Sequence, residues 1–415
     1  MSWQDTTFEL RVDNPAHGGF VVGRHEGRVV FVRGALPGET VRVRVTEDRG
    51  GSFCRAEVFE VLDGAADRIA PLCRAGAELG AGCCDLSHAT LAAQRRIKAF
   101  VVAEQLSRLA GMTREVEVEE LPGTGDGTGW RTRVRLVADK RGRAGTHRYR
   151  GSAIVTELVC PQPVSGMYDG ISAQRWAPGS DLVVAVDGDG TRHLVQVEPA
   201  QVSATGRRGG GRRGAMARRS ATSAARAEIA VLGGGRAREH VAGRTWELAA
   251  TGFWQAHRAA AQTYSDIVAG WTRPGAVAWD LYSGVGVFAA RLAESSDTVA
   301  AVESSAPAVA DGERALTGLP VRFYAGRVEQ TVAALPAHPH VVVLDPPRAG
   351  AGKEVVAAVC AQRPDRIVHI GCDPAAFARD VALYRGGGYG LAELRAFDAF
   401  PLTHHVECLA LLVRI

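Results

Sequence analysis

Cys372 lies in Ile367-Val-His-Ile-Gly-Cys-Asp-Pro-Ala375, just past a short apolar run that reads as a strand. Three further motifs share this part of the chain: Trp279-Asp-Leu-Tyr-Ser-Gly-Val-Gly286, Val343-Leu-Asp-Pro-Pro-Arg348 and Phe400-Pro-Leu-Thr-His-His-Val-Glu407. A thiol, a carboxylate and a Gly-rich turn on one sheet edge point to covalent catalysis beside a bound cofactor. Asp373-Pro374 reads as a helix-opening pair, whose amide dipoles are expected to favour a thiolate at Cys372. On residue type alone, Cys372 reads equally as a buried structural thiol, and Glu407 as an ordinary strand-end carboxylate.

These groups need a sheet to hold them. From about residue 250 the pattern alternates helix and strand, with strands expected at 277–282, 298–303, 320–325, 341–345, 366–371, 390–398 and 406–413. Helices between the first five imply a Rossmann-like, doubly wound α/β sheet of seven strands. The last two lack a long helix between them and should pair antiparallel. Gly284 and Gly286 let the turn after the first strand approach a ligand closely. Glu303 ends the second strand, where an acidic residue can accept both ribose hydroxyl protons of a nucleoside cofactor. The turn lacks the third glycine of the dinucleotide fingerprint, which favours S-adenosylmethionine over NAD. Asp345 closes the fourth strand, and Pro346-Pro347 stiffens the loop beneath the cofactor.

The chain has 415 residues, 46% of them hydrophobic, enough for two or three domains with sizeable cores. No apolar run approaches a membrane span, and the polar start carries no signal-peptide pattern, so a cytoplasmic location is expected. Short alternating runs punctuated by Asn14-Pro, Gly18-Gly, Pro37-Gly and Gly50-Gly give five strands in residues 1–65, an OB-like β-barrel. Residues 66–248 form a mostly β central domain. It holds a cysteine patch from Cys73 to Cys84 and an amphipathic helix over 91–110, with Ile97, Phe100, Val101, Leu106 and Leu109 on its apolar face. It also holds a low-complexity insertion at 203–226, read as mobile. Residues 249–415 are the cofactor domain.

Net charge is only +4, but basic residues cluster: Arg131, Arg133, Arg135, Lys140, Arg141, Arg143, Arg148 and Arg150 in one stretch, and Arg207 to Arg219 in a second. Such density suits a polyanion.

Residues 250–415 resemble the catalytic domain of the S-adenosylmethionine-dependent RNA uracil-5-methyltransferases. The resemblance rests on Gly252-Phe-Trp-Gln-Ala-His257, Asp280-Leu-Tyr-Ser-Gly-Val-Gly286, Asp345-Pro-Pro-Arg348, Gly371-Cys-Asp-Pro-Ala375 with Ala378-Arg-Asp380, and Phe400-Pro-Leu-Thr-His-His-Val-Glu407. The first sixty residues resemble the RNA-binding TRAM barrel. The resemblance implies Cys372 as nucleophile and Glu407 as base. It implies Gln255, Tyr282, Gly284, Val287, Glu303 and Asp345 as cofactor contacts, Val287 through its backbone or by packing. It implies a flipped uridine in folded RNA, with ribosomal large-subunit RNA first and transfer RNA second, and a monomeric enzyme. Many members hold a four-iron cluster on C-x5-C-x2-C and a distant fourth cysteine. This chain offers Cys73, Cys83, Cys84 and, later, Cys160; with Cys84 as the third ligand, the second falls on Ala81. Cys83 is the substitute on offer, and adjacent ligands are awkward around one cubane. Packed thiols without iron and a zinc site are the alternatives.

Two other enzyme classes fit less well. Methylation at nitrogen uses an Asn/Asp-Pro-Pro-aromatic loop, whereas Arg348 follows Pro347 here. RNA cytosine-5 methylation uses Pro-Cys and Thr-Cys loops, which are absent. A non-catalytic RNA-binding protein with a vestigial pocket is disfavoured by the intact Cys372, Glu407 and Glu303.

Overall fold

A computed structural model describes residues 2–77, 79–199 and 226–415. The insertion expected at 203–226 and the second arginine cluster fall almost wholly outside the described residues.

The first sixty-odd residues alternate Val with Arg or Glu, and the alternation closes a barrel. Strands β1 (Thr7–Ala16), β2 (Phe20–His25), β3 (Arg28–Arg33), β4 (Thr40–Glu47) and β5 (Phe53–Asp63) are ordered β1-β2-β3-β5-β4 and close on themselves. Val41, Val43 and Val45 point inward and are fully buried, while Arg42 and Arg44 between them reach the rim. This is the OB-like barrel expected from the sequence.

Helix α1 (Leu91–Ala110) starts where Thr90 accepts a hydrogen bond from the Ala93 amide, and stops at Gly111 in the left-handed conformation. Its length is as expected, but its buried face is not. Ile97, Val101, Val102 and Leu106 are buried, whereas Phe100 and Leu109 are exposed. Lys98 takes part of the inner face instead. It is fully buried, paired with Asp398, and donates to the Phe400 carbonyl at 3.1 Å.

The central region folds as a six-stranded sheet: β7 (Arg133–Ala138), β8 (Ala144–His147), β9 (Ile154–Val155), β10 (Asp181–Val186), β11 (Arg192–Val197) and β12 (Glu228–Leu232). A hairpin of β13 (Arg236–Val241) and β14 (Arg244–Ala249) follows. The basic stretch does not all face solvent. Arg133 is buried against Glu239 at 3.0 Å and donates to the Ala250 and Gly252 carbonyls, so it is a structural tie. Lys140, Arg141, Arg148 and Arg150 remain exposed.

The catalytic sheet has eight strands where seven were expected. Its order is β17-β16-β15-β18-β19-β21-β20-β6. The members are β15 (Gly275–Leu281), β16 (Ser296–Glu303), β17 (Val321–Ala325), β18 (Val341–Leu344), β19 (Arg366–Gly371), β20 (Tyr389–Asp398) and β21 (Glu407–Arg414), plus β6 (Val118–Glu120). Helices α2 (Ala260–Trp271), α3 (Val287–Leu292), α4 (Ala306–Ala315), α5 (Gly352–Gln362) and α6 (Pro374–Gly386) flank it. The extra strand is three residues from the central region that add in parallel to β20. Only β21 runs antiparallel to its neighbours. Strand order reverses between β15 and β18, so the switch-point crevice lies beyond Leu281 and Leu344. All of Val341–Leu344 is fully buried, as expected where helices cover both faces of a parallel sheet.

Candidate active site

The β15–α3 turn is held from beneath. Asp280 is fully buried, and its Oδ2 accepts from the Ala289 amide at 2.8 Å. Burial pushes the Asp280 carboxyl well above its usual range, and Oδ1 has no hydrogen-bond partner among the described residues. Tyr282 follows with φ 64°, a left-handed conformation that costs a non-glycine residue of order 1–3 kcal/mol. Gly284 and Gly286 also have positive φ. A Cβ on Gly286 would sit 2.8 Å from the Phe323 ring and 2.9 Å from Leu316, so the glycine is required for packing as well. Glu303, at the end of β16, accepts from the Gly284 amide at 3.1 Å and from the Ser305 amide at 2.6 Å. The Gly-rich turn and the acidic strand end are therefore in direct contact. Val287 opens α3 and packs against the core beside them.

Across the switch point, Asp345 follows β18, and its amide donates to the Leu281 carbonyl at 3.3 Å. Its Oδ2 lies 3.5 Å from Gln255 Nε2. Burial raises the Asp345 carboxyl to about 7.

Cys372 directly follows β19, and Glu407 opens β21. The antiparallel register pairs Gly371 with Cys408, so Cys372, just past β19, and Glu407, at the start of β21, emerge at the same end of two adjacent strands. Burial pushes the Glu407 carboxyl well above its ordinary range, with Asp345 adding to the shift and Arg348 opposing it. Burial, helped by Glu407 and Asp345, pushes the Cys372 thiol up to about 12.

That last result reverses an expectation. The amides opening α6 were expected to favour a thiolate at Cys372. Instead Asp373 caps the helix, with its Oδ1 accepting from the Ala376 amide at 2.8 Å. That carboxylate takes an amide of the helix end, and burial outweighs what remains of the helix end's pull on the Cys372 thiol.

The loop before Glu407 is tied down at several points. Leu402 is buried with φ 69°, and its amide donates to Gln94 of α1 at 2.7 Å. Asp85 accepts from the His404 amide at 2.9 Å and pairs with His404 Nδ1 at 2.5 Å. His405 packs on Phe400 and approaches Arg348 at 3.4 Å. Burial, then His404 and Arg348, lower its pKa to about 3, so the ring is neutral. His404 is a brace, and His405 lines the site.

Two neighbours of Cys372 were not singled out from the sequence. Lys98, His17, Cys372, Asp373, His404 and His405 line one cavity between the barrel and the catalytic sheet. His17 reaches it from the β1–β2 turn and meets Asp373 Oδ2 at 2.9 Å. Nothing in the barrel's alternation marks this residue; only docking of the barrel reveals it. The hydrogen bond to Asp373 raises the His17 pKa above its ordinary value. A raised folded-state pKa contributes stability that is present below about 6.5 and is lost as pH rises through the raised value. His17→Ala is therefore expected to melt below the wild type at pH 6, with the gap closing by pH 9. Calorimetric melting at the two values checks this, and a gap that widens with pH counts against the contact.

Of the predicted metal ligands, the fold brings Cys73, Cys84 and Cys160 together and leaves Cys83 exposed.

The TRAM domain model matches residues 4–59, and the tRNA (Uracil-5-)-methyltransferase model matches residues 336–415. An uncharacterized RNA methyltransferase of Corynebacterium glutamicum is 39% identical over 98% of this chain and 96% of its own length. The 23S rRNA (uracil(1939)-C(5))-methyltransferase of Alkalilimnicola ehrlichii is 32% identical over 98% and 96%. The chain belongs to the RNA uracil-5-methyltransferase family. The chain is an S-adenosylmethionine-dependent RNA methyltransferase with an N-terminal TRAM domain. The crystal structure of Pyrococcus abyssi tRNA (uracil-54, C5)-methyltransferase with S-adenosyl-L-homocysteine superposes with a TM-score of 0.68 at 22% identity, over 97% of this chain and 99% of that one. No helix among the described residues is long and apolar enough to cross a membrane.

Proposed function

We propose that this chain methylates C5 of a uridine in 23S ribosomal RNA, with Cys372 as nucleophile and Glu407 as base. The observation that supports the reading is the pairing of the β19 and β21 ends at Gly371–Cys408, which brings Cys372 and Glu407 to one sheet edge, with Glu407 and Asp345 close enough to act on the Cys372 thiol.

The residues present fit the methyl donor. Glu303 would hold the ribose hydroxyls, with its carboxylate already oriented by two backbone amides. Tyr282, Gly284 and Val287 would line the turn, and Gln255 with Asp345 would close the opposite wall. Bound there, S-adenosylmethionine supplies an electrophilic methyl on a positively charged sulfur.

C5 of a neutral uracil is a poor nucleophile. As the Cys372 sulfur adds to C6 its thiol proton passes to water, a C–S bond forms and the ring's π electrons move onto O4 as an enolate, which makes C5 reactive towards the methyl. After transfer, C5 carries one hydrogen too many. The Glu407 carboxylate takes that proton, its electron pair re-forms C5=C6, and the C6–S bond breaks to return the thiolate. The raised pKa values of both groups suit this work, since each is a strong base once ionised inside a desolvated site. The exposed basic residues of the barrel and central sheet would hold phosphates around a uridine flipped out of its stack.

Ribosomal RNA is preferred because a relative 32% identical over 96% of its own length is named for 23S RNA. Mapping 5-methyluridine in total RNA from a strain lacking the gene, its parent and a strain complemented with the gene tests this. Loss of one 23S site, restored by the gene, is expected. Loss confined to transfer RNA would reassign the substrate, and no loss in either RNA would overturn the reading.

A further inference from the structure

Cys73, Cys84 and Cys160 converge from three separate loops, and their Sγ atoms all lie within 4.8 Å of one another. Cys73 and Cys84 are buried and Cys160 half-buried, behind Ala75, Ala81, Val155 and Leu402. Two N–H groups already point at the sulfurs: the Gly76 amide at Cys73, 3.3 Å, and Gln162 Nε2 at Cys84, 3.2 Å. Donors of this kind stabilise thiolates and orient metal ligands. Cys83, next to Cys84 in the chain, is exposed and lies outside this close group, so it reaches a shared ion only by turning inward.

The spacing discriminates between metal centres. A tetrahedral zinc with Zn–S bonds of about 2.3 Å holds its ligand sulfurs about 3.8 Å apart. A four-iron cubane places iron and sulfide between its ligands and spreads their sulfurs to roughly 6 Å. Sulfurs within 4.8 Å of one another suit the first, whereas the second would require the three thiols to move apart. The donor pattern agrees, since Ala81 replaces one cubane ligand and the only other thiol nearby is adjacent to Cys84.

We propose that Cys73, Cys84 and Cys160 bind a single soft divalent cation, zinc by its chemistry, with Cys83 closing the fourth corner, and that no iron–sulfur cluster is assembled. The ion braces the catalytic loop. Leu402 packs on the thiols, the Leu86 amide donates to the Leu402 carbonyl at 3.0 Å, and Asp85 holds His404. Fixing residues 84–86 therefore fixes the segment that leads into Glu407.

The test uses the full chain, purified anaerobically without chelator. Elemental analysis is expected to give one zinc per chain with no acid-labile sulfide. Cobalt replacement should give the intense visible bands of a tetrahedral thiolate site. Stripping the metal should lower the melting temperature, and zinc should restore it. Cys83→Ser, at the exposed corner, should fold and bind zinc more weakly, by about tenfold or more, in competition with a chromophoric chelator. Reconstitution with ferrous iron and sulfide that yields about four of each per chain would overturn the proposal. So would a chain that takes up neither zinc nor cobalt while its thiols titrate as free.

Discussion

Cys372→Ala is expected to lose methyl transfer to uridine by on the order of 10⁴-fold or more, about 5.5 kcal/mol of barrier, while donor binding persists. Without a bond to C6, C5 stays an unreactive vinylic carbon, and no other side chain is placed to replace the thiol. Cys408 is the nearest alternative in the register, but it is fully buried and alternates to the other face of the sheet from Glu407. The residues proposed to hold the donor follow β14, β15 and β18, end β16 or open α3, away from the β19–α6 turn that carries Cys372, so they should be indifferent to the change. Cys372 is only half-buried, which limits the stability cost of truncation. Transfer of labelled methyl to an unmodified RNA, with calorimetric titration of the donor, separates the two readouts. Activity within tenfold of wild type would remove Cys372 from the reaction.

Glu407→Gln should behave differently, because it acts after the bond to carbon has formed. The variant can still add the thiolate and methylate C5, but an amide cannot accept the C5 proton. The chain and its RNA should therefore accumulate as a covalent complex stable in denaturing gels, with product release slowed by on the order of 10²–10⁴-fold. The same substitution removes a buried carboxyl whose folded-state pKa lies far above its unfolded value. Such a group's stabilisation is lost as pH rises, so Glu407→Gln should melt above the wild type at alkaline pH. A variant that loses activity with no adduct would place the base elsewhere or put Glu407 before methyl transfer.

Much of the catalytic sheet was legible because its strands are continuous apolar runs. Val341–Leu344 carries nothing polar, and a run of that kind between helical patterns has few alternatives. β6 escaped notice because three residues, Val118–Glu120, show no periodicity; their strand character comes from β20. On α1 the ends were legible through Thr90 and Gly111, but the buried face was not. Lys98 is buried because Asp398, 300 residues away, waits for it, and Phe100 and Leu109 are exposed because the helix docks on α6 along a narrower stripe. At the site, motifs named Cys372 and Glu407, and the pairing of the β19 and β21 ends brings them to one sheet edge. The helix end was expected to govern the Cys372 thiol, but burial, with Glu407 and Asp345 nearby, pushes it the other way, and no spacing in the sequence records that burial. His17 depends entirely on how the barrel seats, which no pattern within the barrel records.

The most direct measurement digests the Glu407→Gln complex with protease and ribonuclease and sequences the cross-linked peptide by tandem mass spectrometry. A single adduct is predicted, joining Cys372 to a uridine that has gained one methyl group. A cross-link on any other residue, or steady production of 5-methyluridine with no cross-linked species at all, would contradict the account.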